Sequence, residues 1–518
     1  MHSKVKGYIL LSSIIVILSA FAVFHLAVKA NPLDGDTDNL ISETLNVRVN
    51  TYLPSLNRNV CYSEYQDSPF SIEIAALHQL TPTSTMSQDD YEAQFYSWYN
   101  QSFPTLIDAL KDIGAEWTRV MIRWQDIQPN NAQEWIFSDY DNRLGQISEA
   151  GVNMIAIIDQ PPTWAGDQTS CERFTIAHEA EYLQFLTQVV TRYRKPPYNI
   201  KTWEIFNEPD NCYGGDYYPL YVEFLQKSFQ KIKEIDPSAT VLMGGIAYDW
   251  FKGEGDPKAP FDRYFPDNVM LLDGGGYMDA FNFHYFPDFA PEWERWNIPP
   301  RPTCYEDGIS YTAGGIDILA KRNYFNNRMN TCYQVYKPIW LTETGQHGYT
   351  GDEGSLRNQA YYVIKGYTRG LAAGIKNITW YELADNLDGF GQSLLYPDLS
   401  IKPGFTTYKT MVEALKGYRY LRTLDISGGE GYVFSNSCGQ EKIFAWGSDV
   451  PMIIPQAKMV KITDYLGQVT QIWDGGPGDG DNKTNGAIQI QLVQDDMAGS
   501  THVTGPVPIP VIVYVASK

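Results

Sequence analysis

Positive charge is scarce in this chain: 40 Lys and Arg stand against 61 Asp and Glu, a formal net charge of -21. Phosphate binding and docking on anionic lipid both need a positive surface, so the balance excludes nucleic acid and anionic membrane as main partners. Charge of either sign is also low, at 19% of residues, which excludes an acidic disordered chain. Histidine is rarer still: His2, His25, His78, His178, His284, His347 and His502. They form no HxH or HExxH pair, which argues against a metal-dependent barrel hydrolase. No GxSxG nucleophile elbow and no phosphate-binding P-loop appears. The cysteines make no CxxC pair, so zinc and thioredoxin-like chemistry lack support. Neither a metal nor a cofactor is expected.

Aromatic residues, in contrast, are abundant: 13 Trp, 36 Tyr and 23 Phe, 14% of the chain. That is more rings than a core requires, and rings lining a groove suit a flat, uncharged ligand such as a sugar. With 518 residues the chain is long enough to bury a full core without staples.

Residues 1–30 read as a targeting segment. His2, Lys4 and Lys6 precede an apolar run over residues 8–28, and Val28-Lys29-Ala30 offers small residues where a signal peptidase reads. The run approaches membrane-spanning length, so the segment is either a cleaved signal peptide or an uncleaved anchor. Both place the rest of the chain outside the cytoplasm, exported and touching membrane only through such an anchor. Six cysteines, Cys61, Cys171, Cys212, Cys304, Cys332 and Cys438, then favour disulfides. Cys171 with Cys212 and Cys304 with Cys332 are the expected pairs, from fifteen pairings that six cysteines allow. Asn100, Asn377 and Asn482 open glycosylation sequons.

Residues 31–67 are polar and read as an arm, with Leu45–Val49 able to donate a strand. From residue 68 to 423 short β-branched runs alternate with segments of helical period. The predicted strands are Phe70–Ala75, Trp117–Ile122, Val152–Ile158, Thr202–Phe206, Thr240–Met243, Ala280–His284, Ile339–Thr342 and Ile378–Tyr381. Helices are predicted at Phe103–Ile113, Ala177–Tyr193, Tyr217–Ile235, Ile316–Val335 and Leu356–Ala373. Gly114, Gly151 and Gly374 each follow a helix and precede a strand, the position where a left-handed residue closes a helix. Strands spaced by roughly forty residues, each followed by helix or long loop, fit a (β/α)8 TIM barrel. An open doubly wound sheet would carry a Gly-rich first turn, and none follows the first strand. Over residues 424–518 the helical period stops and short strands alternate with turns, as in a small antiparallel β-sandwich. Its turn GGPGDGDN, Gly475 to Asn482, reads as a loop or hairpin tip, and Asp479, Asp481 and Asp495 as solvated turn acids rather than calcium ligands.

Two carboxylates stand out. In WEIFNEPD, Trp203 to Asp210, a strand ends in Asn207-Glu208 and Pro209 stops further pairing. In IWLTETG, Ile339 to Gly345, the seventh strand ends beside Glu343. Residues just past the C-terminal ends of barrel strands face the active site. Paired carboxyls over a barrel mouth are what glycoside hydrolysis needs: one protonates the leaving oxygen, the other attacks the sugar carbon or activates water.

From Phe70 to Lys416 the sequence resembles clan A of the retaining glycoside hydrolases. Its second strand resembles WTRVMIRWQDIQP, its third QPPTWAG, its sixth DAFNFHYF, its eighth ITWYEL and its final helix KPGFTTYKTMVEAL. WEIFNEPDN and the segment after it look most like the β-xylosidase and α-iduronidase family, whereas TETG is more like the cellulase and β-glucanase families. The resemblance implies that Glu208 is the acid/base and Glu343 the nucleophile. It implies that Asn207 holds the sugar 2-hydroxyl and that Arg119 keeps Glu343 ionised. His284 matches the sixth-strand His. The clan usually has Tyr two residues later, where this chain has Phe286. Trp380 fits the platform under the sugar at the cleavage point, and Trp164 a groove wall. Glu204 points inward below the site in a structural role. The activity implied is retaining hydrolysis of β-linked oligo- or polysaccharide. The alternatives are a non-catalytic carbohydrate-binding protein on a dead barrel, which has no reason to keep both Glu208 and Glu343, and a transglycosylase using the same residues.

Overall fold

The computed structural model describes residues 68–76, 85–167, 173–249, 261–289, 314–387 and 391–517. The targeting segment, the polar arm and its strand Leu45–Val49 lie outside these residues, as do Cys61, Cys171 and Cys304.

Eight parallel strands form the first sheet: β1 Phe70–Ile72, β2 Trp117–Arg123, β3 Asn153–Asp159, β4 Thr202–Ile205, β5 Thr240–Met243, β6 Phe281–Tyr285, β7 Ile339–Thr344 and β8 Ile378–Trp380. Their order is β5-β4-β3-β2-β1-β8-β7-β6, and bridges from Leu242 to Ala280 and from Ile246 to Phe283 join the two edges into a barrel. One main helix follows each strand: α1 Gln88–Ile113, α2 Ser138–Glu149, α3 Glu179–Tyr193, α4 Tyr218–Ile235, α5 Phe265–Leu271, α6 Ile318–Asn327, α7 Glu353–Ala372 and α8 Pro403–Leu415. The predicted strands all form, within a few residues at each end.

Local chemistry explains the helix ends. Ser87 caps α1 by accepting from the Asp90 N–H at 3.1 Å, and Gly114 closes it at φ +83°. Gly151 and Gly374 adopt the same left-handed conformation, at φ +77° and +78°. Two helices differ from expectation. The first starts at Gln88, well before the predicted Phe103, and runs through Pro104, which lacks the N–H for one bond of the helix. The sixth stops at Asn327 and continues as a π turn over Arg328–Cys332, where the Arg328 guanidinium is drawn onto Asp267 at 2.7 Å.

The barrel interior is layered. Its floor is apolar, with Ile155, Leu242 and Ala280 packed on Trp117 and Trp340, whose rings meet edge to face at 5.9 Å. Above it comes a layer of buried polar side chains, Arg119, Glu204, Asn282 and Thr342. Buried polar groups of this kind need partners, and they find them in one another.

The C-terminal residues form a six-stranded antiparallel sheet, a two-stranded one, and a short ladder of β16, Gln494–Asp495, with β17, Val507–Pro508. The first has the order β14-β13-β18-β11-β10-β9: Val469–Trp473, Met459–Thr463, Val511–Ser517, Glu441–Gly447, Gly429–Ser435 and Arg419–Leu424. The second pairs β12, Val450–Pro455, with β15, Ala487–Leu492. The sheets face each other across a core that includes Val433, Ile443, Val460 and Val513 on one side and Met452, Ile454, Ile488 and Ile490 on the other, a β-sandwich. The first strand begins at Arg419, inside the stretch assigned to the barrel. The Gly475–Asn482 turn joins β14 to β15 across the two sheets, so it is a loop and not a hairpin tip. Asp479 pins it by accepting from the N–H groups of Gly475 and Gln489.

Among the described residues no cysteine is free: Cys212, Cys332 and Cys438 are all in disulfides. The expected partners Cys171 and Cys304 lie outside the described residues. Of the sequon asparagines, Asn377 is buried and unavailable to a glycan in the folded protein, whereas Asn100 and Asn482 are exposed.

Candidate active site

The buried acids at the barrel mouth converge on one cation. Arg119 lies on β2 with its side chain 1% exposed. Its Nε and Nη2 donate to the two oxygens of Glu204 at 3.0 and 2.9 Å. Its Nη1 donates to Glu73 at 3.3 Å and to Glu343, and Nη2 also reaches Asn207 Oδ1 at 2.7 Å. Arg119 therefore holds the structural acid Glu204 and the strand-end acid Glu343 together. A planar guanidinium with five donors suits this task, where a lysine would not. The ionised acids outweigh the cost of burying it and hold its pKa well above the ordinary value.

Glu208 sits where β4 ends. Phe206 and Glu208 both take positive φ, +69° and +44°, a conformation that is costly for residues with side chains and that clusters at functional sites. Asp159, at the end of β3, anchors this turn by accepting from the Asn207 N–H at 3.1 Å. Glu343 owes its direction to an irregularity in β7. Against β6, Phe283 pairs with Leu341 but His284 pairs with Glu343, so Thr342 is an extra residue. The same shift recurs against β8. Such a bulge breaks the alternation of side chains, and Thr342 and Glu343 both face the barrel interior.

His284 joins the two carboxyls. Its Nδ1 lies 2.9 Å from Glu208 Oε1 and 3.4 Å from Glu343 Oε2. Donor atoms of Glu208, His284 and Glu343 all lie within 4.8 Å of one another, close enough to share one proton or one ion. The Glu343 side chain is 9% exposed and that of Glu208 is 24% exposed. Burial pushes both carboxyls up to about 7. For Glu343, His284 and Arg119 oppose the rise, and only Glu343 touches the guanidinium. The pair thus titrates as a unit, with the proton favouring Glu208. Burial also depresses His284 to about 4, which leaves its ring neutral near pH 7.

The sequence-predicted residues Glu208, Glu343, Asn207, Arg119 and His284 are therefore brought together. Trp380 is not available as expected. It is fully buried, its indole N–H donates to Gln392 O at 3.0 Å, and its ring packs near Tyr362. A ring with no exposed face offers no platform, so Trp380 belongs to the core in this structure. Its neighbour Tyr381 is half-buried at the end of β8, with its ring edge-on to Phe286 at 6.0 Å. Phe286 does take the place beside the β7 loop, in contact range of Gly345, while Tyr285 is buried on the strand before it. Trp164 is half-buried after β3, with its N–H on Gln128 O at 2.8 Å and its ring against Trp124 and His178.

Several residues went unrecognised in the sequence. Glu73 directly follows β1, the same strand-end position that singled out Glu208 and Glu343, and burial pushes it up to about 7. Thr342 lies in the TETG segment, where only Glu343 was singled out, and Lys321 lies in no motif. Lys321, on α6, is fully buried and donates to Asp249 at 2.6 Å and to the carbonyl oxygen of His284 at 2.6 Å. Gly245 makes room for the imidazole, since a Cβ there would meet Nε2 at 2.1 Å. A cavity of about 1030 Å³ lies between the loops after β6 and β7, helix α7 and the C-terminal strands, and neither Glu208 nor Glu343 lines it.

A (β/α)8 barrel with paired carboxyls at the C-terminal ends of β4 and β7 defines a clan A glycoside hydrolase. A family model described as Cellulase (glycosyl hydrolase family 5) matches residues 75–380, and the chain belongs to that family. It is a glycosyl hydrolase, and its substrate is a carbohydrate. Similar solved structures include a family 39 glycoside hydrolase from Bacteroides cellulosilyticus, at 16% identity and TM-score 0.57 over 80% of this chain and 78% of that one. A family 39 enzyme from Xanthomonas axonopodis pv. citri aligns at 13% identity and TM-score 0.50, over 80% and 90% of the two chains. A glucosidase from Croceicoccus marinus aligns at 11% identity and TM-score 0.50, over 80% and 92%. These likenesses establish the fold. No curated protein matches the chain.

Proposed function

We propose that the protein is an exported retaining glycosidase acting on β-linked oligo- or polysaccharide, with Glu208 as acid/base and Glu343 as nucleophile. The observation that carries this reading is the separation of the carboxyls, which bring oxygens within 4.8 Å of each other. Retaining enzymes hold their carboxyl groups about 5–5.5 Å apart, whereas inverting ones leave about 6.5–9.5 Å for a water. Export is supported by the disulfides of Cys212, Cys332 and Cys438.

In the first step Glu208 gives its proton to the glycosidic oxygen while Glu343 attacks the anomeric carbon. The bond to the leaving group breaks and a glycosyl ester forms. Arg119 holds Glu343 ionised and oriented for attack, and its bond to Asn207 Oδ1 leaves the Asn207 amide nitrogen free to meet the sugar 2-hydroxyl. Esterification removes the Glu343 charge, so the pKa of Glu208 falls and it becomes the base for an incoming water. Water attacks the anomeric carbon, Glu208 takes its proton, and Glu343 leaves as carboxylate. Two displacements restore the starting configuration.

Replacing Glu343→Gly is expected to lower turnover by about 10³-fold or more. Azide, small enough to enter the space left, is expected to restore formation of a glycosyl azide of inverted configuration. Near-normal hydrolysis by that variant would remove Glu343 from the role of nucleophile.

A further inference from the structure

Burial raises both carboxyls alike, Arg119 touches only Glu343 of the two, and a second group acts from the Glu208 side. His284 Nε2 lies 3.2 Å from Thr342 Oγ1. The threonine hydroxyl has one hydrogen, and its other neighbours are oxygens: Asn282 Oδ1 at 2.7 Å and Glu204 Oε1 at 3.5 Å. The hydrogen goes to one of these acceptors, which leaves an oxygen lone pair facing Nε2. Asn282 Oδ1, much the nearest of them, takes the hydrogen. Nε2 therefore carries the ring hydrogen, and a neutral imidazole then has a bare Nδ1. Nδ1 lies 2.9 Å from Glu208 Oε1, and a bare nitrogen that close to a carboxyl oxygen requires a hydrogen on that oxygen.

We propose that Thr342 is a positioning residue for the acid: by accepting the Nε2–H of His284 it turns the bare Nδ1 toward Glu208 and keeps the shared proton there. The inference rests on the assignment of Glu208 as acid/base. It draws on the β7 bulge, which aims Thr342 inward next to Glu343, and on Gly245, which leaves the imidazole its place. The ring is 1% exposed, and burial keeps it neutral. The charged groups around it are Arg119 from β2, Glu204 from β4, Glu208 and Glu343, with Lys321 from α6 on its carbonyl oxygen. Both cations are bonded to acids, Arg119 to Glu204 and Lys321 to Asp249. Among the described residues no cation is bonded to Nδ1.

The test uses leaving groups. A dinitrophenolate departs without a proton, whereas a methoxyphenolate needs one. With dinitrophenyl and methoxyphenyl β-glycosides, Thr342→Val is expected to lower kcat/KM about 10- to 100-fold on the methoxyphenyl substrate and less than about 3-fold on the dinitrophenyl one, a loss no larger than the low end of the ~10²–10⁴-fold that general acid catalysis contributes. The basic limb of its pH profile is expected to move to lower pH, and Thr342→Ser, which keeps the lone pair, to behave like the parent. Equal losses on both substrates, or no loss, would overturn the proposal. Glu208→Ala separates the two levels. If it too fails to discriminate between the substrates, the acid assignment is wrong; if it discriminates and Thr342→Val does not, only the role of Thr342 falls. Should the valine variant not fold, nitrogen-15 spectra of the unaltered protein still decide: His284 as the Nε2–H tautomer supports the proposal, and the Nδ1–H tautomer contradicts it.

Discussion

Glu73, Asp159, Glu208, Asp210 and Glu343 are each pushed up to about 7, in every case chiefly by burial. Their ordinary values are 3.8 for the aspartates and 4.5 for the glutamates. Between those values and about 7 the folded protein binds more protons than the unfolded chain, so its stability falls as pH rises through that window. His284, depressed by burial from 6.5 to about 4, acts the opposite way between those values, and Glu430, lowered to about 2 against burial by Arg369, does so only below pH 4.5; five raised acids outweigh the one histidine. Thermal unfolding midpoints are therefore expected to be higher at pH 5 than at pH 8, and Glu73→Gln to flatten that slope by removing one of the titrating acids. A midpoint that rises from pH 5 to pH 8 would contradict the burial argument. At this scale the sequence disclosed Glu208 and Glu343, because both follow apolar strand runs and the barrel dictates where such residues face. It did not disclose Thr342, whose importance comes from two side chains on β6 and one on β4 meeting it across the barrel. Trp380 misled because strand-end position does not say whether a ring is covered; the Gln392 segment and Tyr362 cover this one.

At the scale of elements the strands were legible because barrel strands are short, buried and β-branched, and the closing glycines because only a left-handed residue fits there. Helix α2 was not legible. Its apolar face is only Tyr140, Leu144 and Ile147 among charged and polar residues, a stripe too thin to stand out in the sequence. The β7 bulge was invisible for a different reason: one extra residue in a run of apolar and polar alternation has no sequence signature. Helix α7 illustrates how elements are tied together. Its Arg369, 2% exposed in the side chain, donates to the buried Asp317 at 2.7 Å and to both oxygens of Glu430 on β10 at 3.0 and 2.6 Å. Arg369→Met leaves Asp317 a buried charge without its cation, and is expected to cost about 3–5 kcal/mol, the usual result of breaking a buried pair from one side. Urea unfolding measures it, and a loss below about 1 kcal/mol would mean that the arginine is replaceable by packing alone.

At the scale of the molecule the six-stranded sheet works as part of the barrel's wall. Tyr432, Phe434, Phe444 and Trp446 on one of its faces belong to the same core as the barrel helices. A second tie lies near the mouth. Asp352, which caps α7 just beyond the Glu343 loop, accepts from the Thr501 N–H at 2.8 Å, and Arg357 reaches Asp495 at 2.6 Å. Asp495, one of the three acids read from the sequence as solvated turn residues, thus helps Asp352 fasten the C-terminal sheets to the helix that follows β7. The low positive charge is also resolved at this scale. The cations buried at the barrel mouth, Arg119 and Lys321, are bonded to acids, so the mouth presents carboxyls to a neutral sugar.

The central claim is double displacement at the Glu208–Glu343 pair, and the configuration of the product tests it most directly. Proton NMR during the first minutes of cleavage of a β-linked substrate resolves the two anomers of the released sugar before they interconvert. Retention through Glu343 yields the β anomer first, with the α anomer appearing only as mutarotation proceeds. Immediate appearance of the α anomer would contradict the claim, since it requires a single attack by water.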